Sequence, residues 1–237
     1  MKTTGTEYYT SKIVGKALHD YKMLSKDDRI LMCVSGTDSL ALLDILNERL
    51  KFIPIKYKII AAHVNLNNKN ARVIENYLKK KGIKCHIVKL DLKDGRKPGI
   101  NKTPCFWCSW KRREMLFKLA NRLKCKKVVF GHHLDDIIET YLMNILFNGE
   151  VSAMPAKLKM FKGKFHIIRP FVYLEKHLIE KYAKEKNIPP MPYACPYGKK
   201  TRRSFVRNLI SQLKKASPDI KKNLFKSMRN IKKAYLP

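Results

Sequence analysis

The sequence predicts an α/β fold: a Rossmann-like parallel sheet of about five strands, covered by helices on both faces and followed by a basic helical tail. Three observations predict it. Short apolar runs alternate with segments whose apolar residues recur every 3.6 residues, the pattern of repeated strand–helix units. The loops of unusual composition (Ser35–Ser39, Asn65, the loop leading to Cys105, and Gly131–Asp136) each follow a strand. They therefore gather at the carboxyl rim, where such sheets bind ligands. Residues 198–237 lose strand character and carry thirteen basic side chains against one acidic, Asp219.

The elements follow in order. Residues 10–24 have the spacing of an amphipathic helix packed on the domain. Ile30–Val34 forms the first buried strand, Ser35, Gly36 and Thr37 make a small-residue turn, and Leu40, Leu42, Leu43 and Leu46 line a helix reaching about Leu50. Tyr57–Leu66 is a second strand, with a helix over 71–82 closed by Gly82. "KCHIVKL" is the third strand, and a polar loop from Asp91 to Pro104 leads to Cys105. A helix follows from Cys108, with Met115, Leu116, Leu119 and Leu123 on its apolar side. "KKVVFGHH" is the fourth strand, with a helix over 135–147; "KFHIIRPF" is the fifth, with a helix over 174–187. Two short helices, over 204–215 and 219–233, form the tail. The expected division is a nucleotide-binding domain over 1–187 and an extension over 188–237. There are no internal repeats.

Composition narrows the function classes. Hydrophobic residues make up 45% of 237, ordinary for a globular chain and against disorder. No apolar run approaches the roughly 18–20 residues of a membrane span, and the first residues lack a signal-peptide core, so a cytoplasmic protein without membrane contact is expected. Lys and Arg total 51 against 19 Asp and Glu, a net charge of +32. Such a field draws in polyanions, RNA first and DNA or ribosomes next. A lysine-biased genome would explain the total but not its concentration in the tail. RNA affinity should fall with salt, each neutralised phosphate adding about −0.7 to −0.9 to the log–log slope.

Six cysteines do not suggest a disulfide framework in a cytoplasmic chain. Cys33, Cys85 and Cys125 lie in or beside strands and pack as small hydrophobes; Cys105, Cys108 and Cys195 lie in loop-like surroundings. Asp38 and Ser39 stand at a helix start, where orphan N–H groups hold anions. In "GHHLDD", Asp135 and Asp136 open another helix. One reading is metal or substrate contact, led by Asp136; the other is capping. His132 and His133 are ambiguous in the same way. Arg112 and Arg113 are candidates for bidentate phosphate contact or for RNA binding, and Lys157 and Arg169 are phosphate candidates or structural cations. Trp107 and Trp110 flank Cys108 and stack on a base, shield a metal group, or merely pack.

The stretches "SGTDSLALL", "CFWCSWKRREMLFKLA", "GHHLDDIIET", "MPAKL", "IIRPF" and the late Cys195 before a basic helix resemble the PP-loop ATP pyrophosphatase superfamily. Within it they are similar to the tRNA thiolation enzymes of the 2-thiocytidine synthetase type. The resemblance implies ATP-dependent 2-thiolation of a cytidine or uridine: the base carbonyl is adenylated, pyrophosphate leaves, and sulfur displaces AMP. It implies ATP and Mg²⁺ at Ser35, Gly36, Thr37, Asp38, Ser39, His63 and Gly131, with Asp38 and Asp136 catalytic. It implies a [4Fe–4S] cluster on Cys105, Cys108 and Cys195, catalytic with the two carboxylates through sulfur transfer, zinc being the alternative for a Cys-x-x-Cys pair. The implied partners are tRNA, through Arg112, Arg113, Lys199, Lys200, Arg202 and Arg203, and a sulfur donor, a cysteine desulfurase or sulfide. A homodimer is a compatible assembly.

One feature departs from that family. Its loop reads Ser-Gly-Gly-x-Asp-Ser, whereas here Thr37 alone separates Gly36 from Asp38. The missing glycine removes a permissive backbone position and one N–H donor. This motivates two alternatives: an ATP-independent iron–sulfur enzyme that removes sulfur from thiolated bases, and a non-catalytic RNA-binding protein.

Overall fold

The computed structural model describes residues 5–66, 68–90, 104–192 and 201–235. Six strands form one sheet in the order β3-β2-β1-β4-β6-β5, where β1 is Asp28–Cys33, β2 Tyr57–Asn65, β3 Cys85–Lys89, β4 Lys127–Val129, β5 Lys157–Met160 and β6 Phe165–Ile168. All neighbours are parallel except β5 and β6. The chain builds outward from β1 through β2 to β3, then returns to lay β4 on the other side of β1. The switch in strand order therefore lies between β1 and β4, where open α/β sheets form their ligand crevice.

The sixth strand corrects the expected five. Its sequence, Lys-Leu-Lys-Met, places charge on alternate positions of an antiparallel edge, and lysines there discourage pairing with another chain. That pattern carries little of the apolar signal of a buried strand.

The helices are α1 (Gly5–Asp20), α2 (Thr37–Arg49), α3 (Asn68–Lys80), α4 (Pro104–Arg122), α5 (Leu134–Asn148), α6 (Lys176–Glu185), α7 (Arg202–Ala216) and α8 (Ile220–Ser227). Two hydrophobic layers cover the sheet. One joins Ile30, Met32, Val34 and Ala61 of the sheet region to α1, α2, α3 and α6. The other joins Leu31, Cys33, Ile60 and Ala62 to Leu116, Phe117, Leu119 and Ala120 of α4. Alternate strand residues thus serve opposite faces, as a doubly covered sheet requires. A smaller core of Leu134, Ile138, Val206 and Ile210 docks α7 on α5.

Two helix starts differ from the expectation. α1 begins at Gly5 rather than near residue 10, because Thr6 and Thr10 occupy its buried side. Their hydroxyls are satisfied there: Thr10 Oγ1 donates to the Thr6 carbonyl at 2.8 Å, and Thr6 Oγ1 to Glu185 at 2.8 Å. α4 begins at Pro104, so Cys105 opens a helix instead of closing a loop. Proline suits that first position, since its missing N–H has no helical partner there. The tail is shorter in helix than expected: α8 ends at Ser227, and a 3₁₀ turn follows at Lys233–Tyr235. The polar loop over 91–103 and the segment with Cys195, Lys199 and Lys200 lie outside the described residues.

Candidate active site at the switch point

The turn after β1 is closed by one hydroxyl. Ser39 Oγ accepts the N–H groups of Ser35 (2.8 Å) and Gly36 (3.0 Å) and donates to the Gly36 carbonyl (2.7 Å). The first intrahelical bond of α2 runs from Leu40 N–H to the Gly36 carbonyl at 3.0 Å. The N–H groups of Thr37, Asp38 and Ser39 precede it and have no carbonyl within the helix. Thr37 Oγ1 donates to the Pro189 carbonyl at 3.2 Å, tying the short loop to the segment that follows α6. His63 secures the turn from β2: its Nδ1 bonds the Val34 carbonyl at 2.8 Å. Its Nε2 is buried with no hydrogen-bond partner among the described residues. Burial pushes the imidazole pKa down; the Val34 bond opposes this and the charge of Arg112 adds to it.

The turn after β4 meets this one at Gly131. A Cβ added there would stand 3.1 Å from Ser39 Cα and 3.2 Å from Ser39 N, tight enough that the backbone would have to give by a few tenths of an ångström. The absence of a Cβ at Gly131 thus favours this close approach of the two turns. From the same turn His133 is buried among three carboxylates. Its Nε2 is 3.3 Å from Asp136 Oδ2 and 3.8 Å from Asp38 Oδ2, and its Nδ1 is 3.5 Å from Asp135 Oδ2. Burial opposes its charge, but the hydrogen bond to Asp135 and the charges of Asp136, Asp135 and Asp38 outweigh this and raise its pKa. For Asp38 the balance is reversed: burial raises the carboxyl pKa against the pull of His133 and Lys176.

The two adjacent acids of "GHHLDD" differ in their ties. Asp135 accepts the Lys176 N–H (2.8 Å) and the Lys221 ammonium (2.5 Å), joining α5 to α6 and α8. Burial works against its ionisation, yet His133, Lys221 and the Lys176 N–H hold its pKa well below the usual range. Asp136 caps its own helix, accepting the His133 N–H at 3.1 Å, and its other oxygen lies 3.9 Å from Arg203. Both acids therefore have structural duties, and Asp136 is the one that shares His133 Nε2 with Asp38.

Arg169 is a scaffold residue. It is buried, donates to the Pro155 carbonyl at 2.5 Å, and places Nε 3.3 Å from His132 Nδ1. Burial and this guanidinium lower the His132 pKa to about 4, so the ring is neutral. Lys157 lies on the edge strand β5 and donates to the Lys22 carbonyl at 2.5 Å, a structural tie. Sequence reasoning missed the buried Glu139. Arg207 grips it with two hydrogen bonds (2.8 and 3.2 Å), and Arg203 stands at 3.6 Å. The spacings put Asp136 and Glu139 (i, i+3) on one face of α5 and Arg203 and Arg207 (i, i+4) on one face of α7, but only the docking of α7 on α5 brings the two faces together. Arg203, expected on RNA, thus neutralises Glu139 and Asp136, while the exposed Arg202 lies over the Phe147 ring at 4.9 Å.

α4 forms another wall. It precedes β4 and runs opposite to it, so its N-terminus stands at the carboxyl rim. Cys105 is exposed and Cys108 half-buried, one turn apart. Arg112 acts electrostatically on His63 and Cys33, and Arg113 on Arg169, which places both beside the sheet's carboxyl end. The remaining cysteines are poor ligands: burial raises the Cys33 and Cys125 thiols and pushes Cys85 up to about 12. Among the described residues no three of His, Cys, Asp and Glu form a metal-binding group, and no helix is long and apolar enough to cross a membrane.

Comparison with known proteins agrees with this geometry. The PP-loop domain family matches residues 8–214. The tRNA-cytidine(32) 2-sulfurtransferase of Polynucleobacter asymbioticus is 36% identical over 231 residues, covering 95% of this chain and 76% of that protein. Its counterpart from Dichelobacter nodosus is 37% identical, covering 95% and 86%. The fold is also that of the U34-tRNA thiolase NcsA from Methanococcus maripaludis, solved with its [4Fe–4S] cluster: TM-score 0.79, 24% identity, 94% of this chain and 78% of that one. With the family match spanning residues 8–214 and relatives 36–37% identical over 95% of its length, the chain belongs to the PP-loop family, in the branch of the tRNA-cytidine(32) 2-sulfurtransferases.

Proposed function

We propose that the protein is an ATP-dependent tRNA 2-sulfurtransferase acting on cytidine 32, the position its relatives' names carry. The observation that carries this reading is the contact of Gly131 with the Ser39 backbone. It sets the N-terminus of α2, with Asp38, against the turn that carries His133 and Asp136. The N–H groups of Thr37 and Asp38 would hold the pyrophosphate portion of ATP. The carboxylates of Asp38 and Asp136, with phosphate oxygens, are suited to Mg²⁺, which commonly takes one or two carboxylates plus phosphate. The end of β2 at His63 and Val64 flanks the adenine. The base carbonyl oxygen attacks the α-phosphorus and pyrophosphate departs. Sulfur then attacks the activated carbon, and the oxygen leaves within AMP.

Cys105 and Cys108, together with Cys195, would hold a [4Fe–4S] cluster. The donor set fits: it is all thiol, and the histidines weighed as a fourth zinc ligand are otherwise engaged, His132 with Arg169 and His133 with carboxylates. When bound, a three-thiolate cluster keeps one iron open to carry sulfide. The sulfur donor is a cysteine desulfurase or sulfide, the compartment is the cytoplasm, and a homodimer is testable by light scattering. Residues 188–237, with Lys199, Lys200 and Arg202, serve as an RNA-binding extension, and Arg112 and Arg113 of α4 add further cations for the same RNA.

The test uses anaerobically reconstituted protein with ATP, Mg²⁺, sulfide and unmodified tRNA. The expected result is tRNA-dependent release of AMP and pyrophosphate, 2-thiocytidine in the digested tRNA, and loss of both in Asp38→Asn. Iron-loaded protein that binds tRNA yet releases no pyrophosphate would overturn the reading in favour of the ATP-independent desulfurising alternative.

A further inference from the structure

The first two turns of α4 carry two opposed stripes. Cys105, Cys108 and Arg112 fall at i, i+3 and i+7 on one side; Trp107, Trp110 and Glu114 repeat that spacing two residues on, about 200° round the helix. The indole rings are stacked, with centroids 5.2 Å apart and planes 9° from parallel. Lys111 is buried with its Nζ 5.6 Å from both ring centroids, which fixes the pair by cation–π attraction. Trp110 is still 37% exposed, and Phe106 beside it 41%. The surrounding charge is basic: Arg113, Lys118 and Arg122 are exposed, and the acid, Glu114, is held by Lys118 at 2.7 Å.

We propose that the Trp107–Trp110 pair is a stacking platform for an unpaired base of the substrate RNA, a neighbour of the base presented to the thiol rim. The inference rests on the RNA-substrate reading above. A rigid aromatic face set in a basic surface matches single-stranded RNA, because every base offers a π-face and the phosphates seek cations. Position supports the same occupant. The stripe lies across one helix diameter, about 10–12 Å, from the thiols. At the roughly 3.4 Å axial rise of a stacked strand, about three nucleotide steps span that distance, so one loop can offer its target base to the rim and lay a base a few positions away on the indoles.

The chain contains two tryptophans, and both are in this pair, so intrinsic fluorescence reports on the platform alone. The probes are an unmodified RNA hairpin with a single-stranded loop and a blunt duplex of the same stem, each also followed by anisotropy of an end label. Saturable quenching by the hairpin at the anisotropy midpoint, with little by the duplex, is the expected result. Trp110→Ala should weaken hairpin binding roughly ten- to hundredfold and leave duplex binding unchanged, while Trp110→Phe restores most of the affinity. Hairpin binding without quenching, or equal weakening of hairpin and duplex in folded Trp110→Ala, overturns the platform and leaves the RNA reading intact. Emission that changes with protein concentration alone overturns it in favour of a self-association contact. No hairpin binding by anisotropy overturns the RNA reading itself.

Discussion

Gly131→Ala is the most direct probe of how the two turns are held together. The new Cβ would meet Ser39 Cα at 3.1 Å, Ser39 N at 3.2 Å and Ser39 Cβ at 3.3 Å. Carbon contacts settle at about 3.5–4.0 Å, so backbone must move by about 0.5 Å. It does not move cheaply, because Ser39 Oγ is bonded to Ser35 and Gly36 and the following residues Leu40 to Leu43 are buried. Overpacking of this kind costs about 1–3 kcal/mol. A 1 Å misplacement costs about a hundredfold in rate, so half of it should cost about tenfold. Urea unfolding should show a lower midpoint at unchanged slope, and tRNA-dependent pyrophosphate release should fall about tenfold at unchanged tRNA affinity. Gly149→Ala is the control. Gly149 caps α5 at φ +62 with nothing within 4 Å of a Cβ, so alanine there strains the backbone by about 1 kcal/mol without touching the crevice. If Gly131→Ala retains wild-type stability and rate, the close approach does not position α2, and the reasoning fails.

Other predictions follow from neighbouring contacts. The His133 pKa is raised in the folded state, so its stabilisation is complete below about pH 6.5 and is lost as pH rises through the folded value; His133→Asn should flatten the stability profile on the alkaline side, and an unchanged profile would refute the carboxylate cage. Arg207→Ala removes two bonds to the buried Glu139. The Arg207 side chain is 61% exposed and Arg203 stays nearby, so the loss should be about 1–2 kcal/mol by chemical denaturation. Thr37→Val deletes the bond to the Pro189 carbonyl and should destabilise by about 0.5–1.5 kcal/mol, with the segment after α6 becoming more sensitive to protease. A glycine inserted between Gly36 and Thr37 should tighten ATP binding about tenfold, the worth of one charge-assisted N–H bond, and isothermal titration showing no gain would mean that this donor does not limit affinity.

Much of the fold was legible because buried strands and amphipathic helices have periods that composition cannot disguise. The failures have identifiable causes. β5 escaped because an edge strand protected by Lys157 and Lys159 resembles a basic loop. The first turn of α1 escaped because Thr6 and Thr10 are polar yet buried, their hydroxyls satisfied within the molecule. In the site, Ser35–Ser39 and Gly131–Asp136 were placed at one rim because each follows a strand, and strand order does the rest. What no local pattern could supply was pairing across the chain. That Gly131 abuts Ser39, that His133 gathers Asp38, Asp135 and Asp136, and that Arg207 neutralises Glu139 are facts of tertiary contact.

The short loop shows how those contacts bear on chemistry. A longer, glycine-rich loop would leave its N–H groups facing an anion; here two of them, from Ser35 and Gly36, are held by Ser39 Oγ. That hydroxyl is a rotor, able to donate as well as accept. The first-turn N–H groups of α2 belong to the helix end itself and need no second glycine. On the proposed function, anion binding in this chain would rest on the helix terminus and on the precision with which Gly131, His63 and Pro189 hold it, more than on loop flexibility. The lost glycine and the added tether are two parts of one arrangement: Thr37 alone stands between Gly36 and Asp38, and its hydroxyl ties the shortened turn to Pro189.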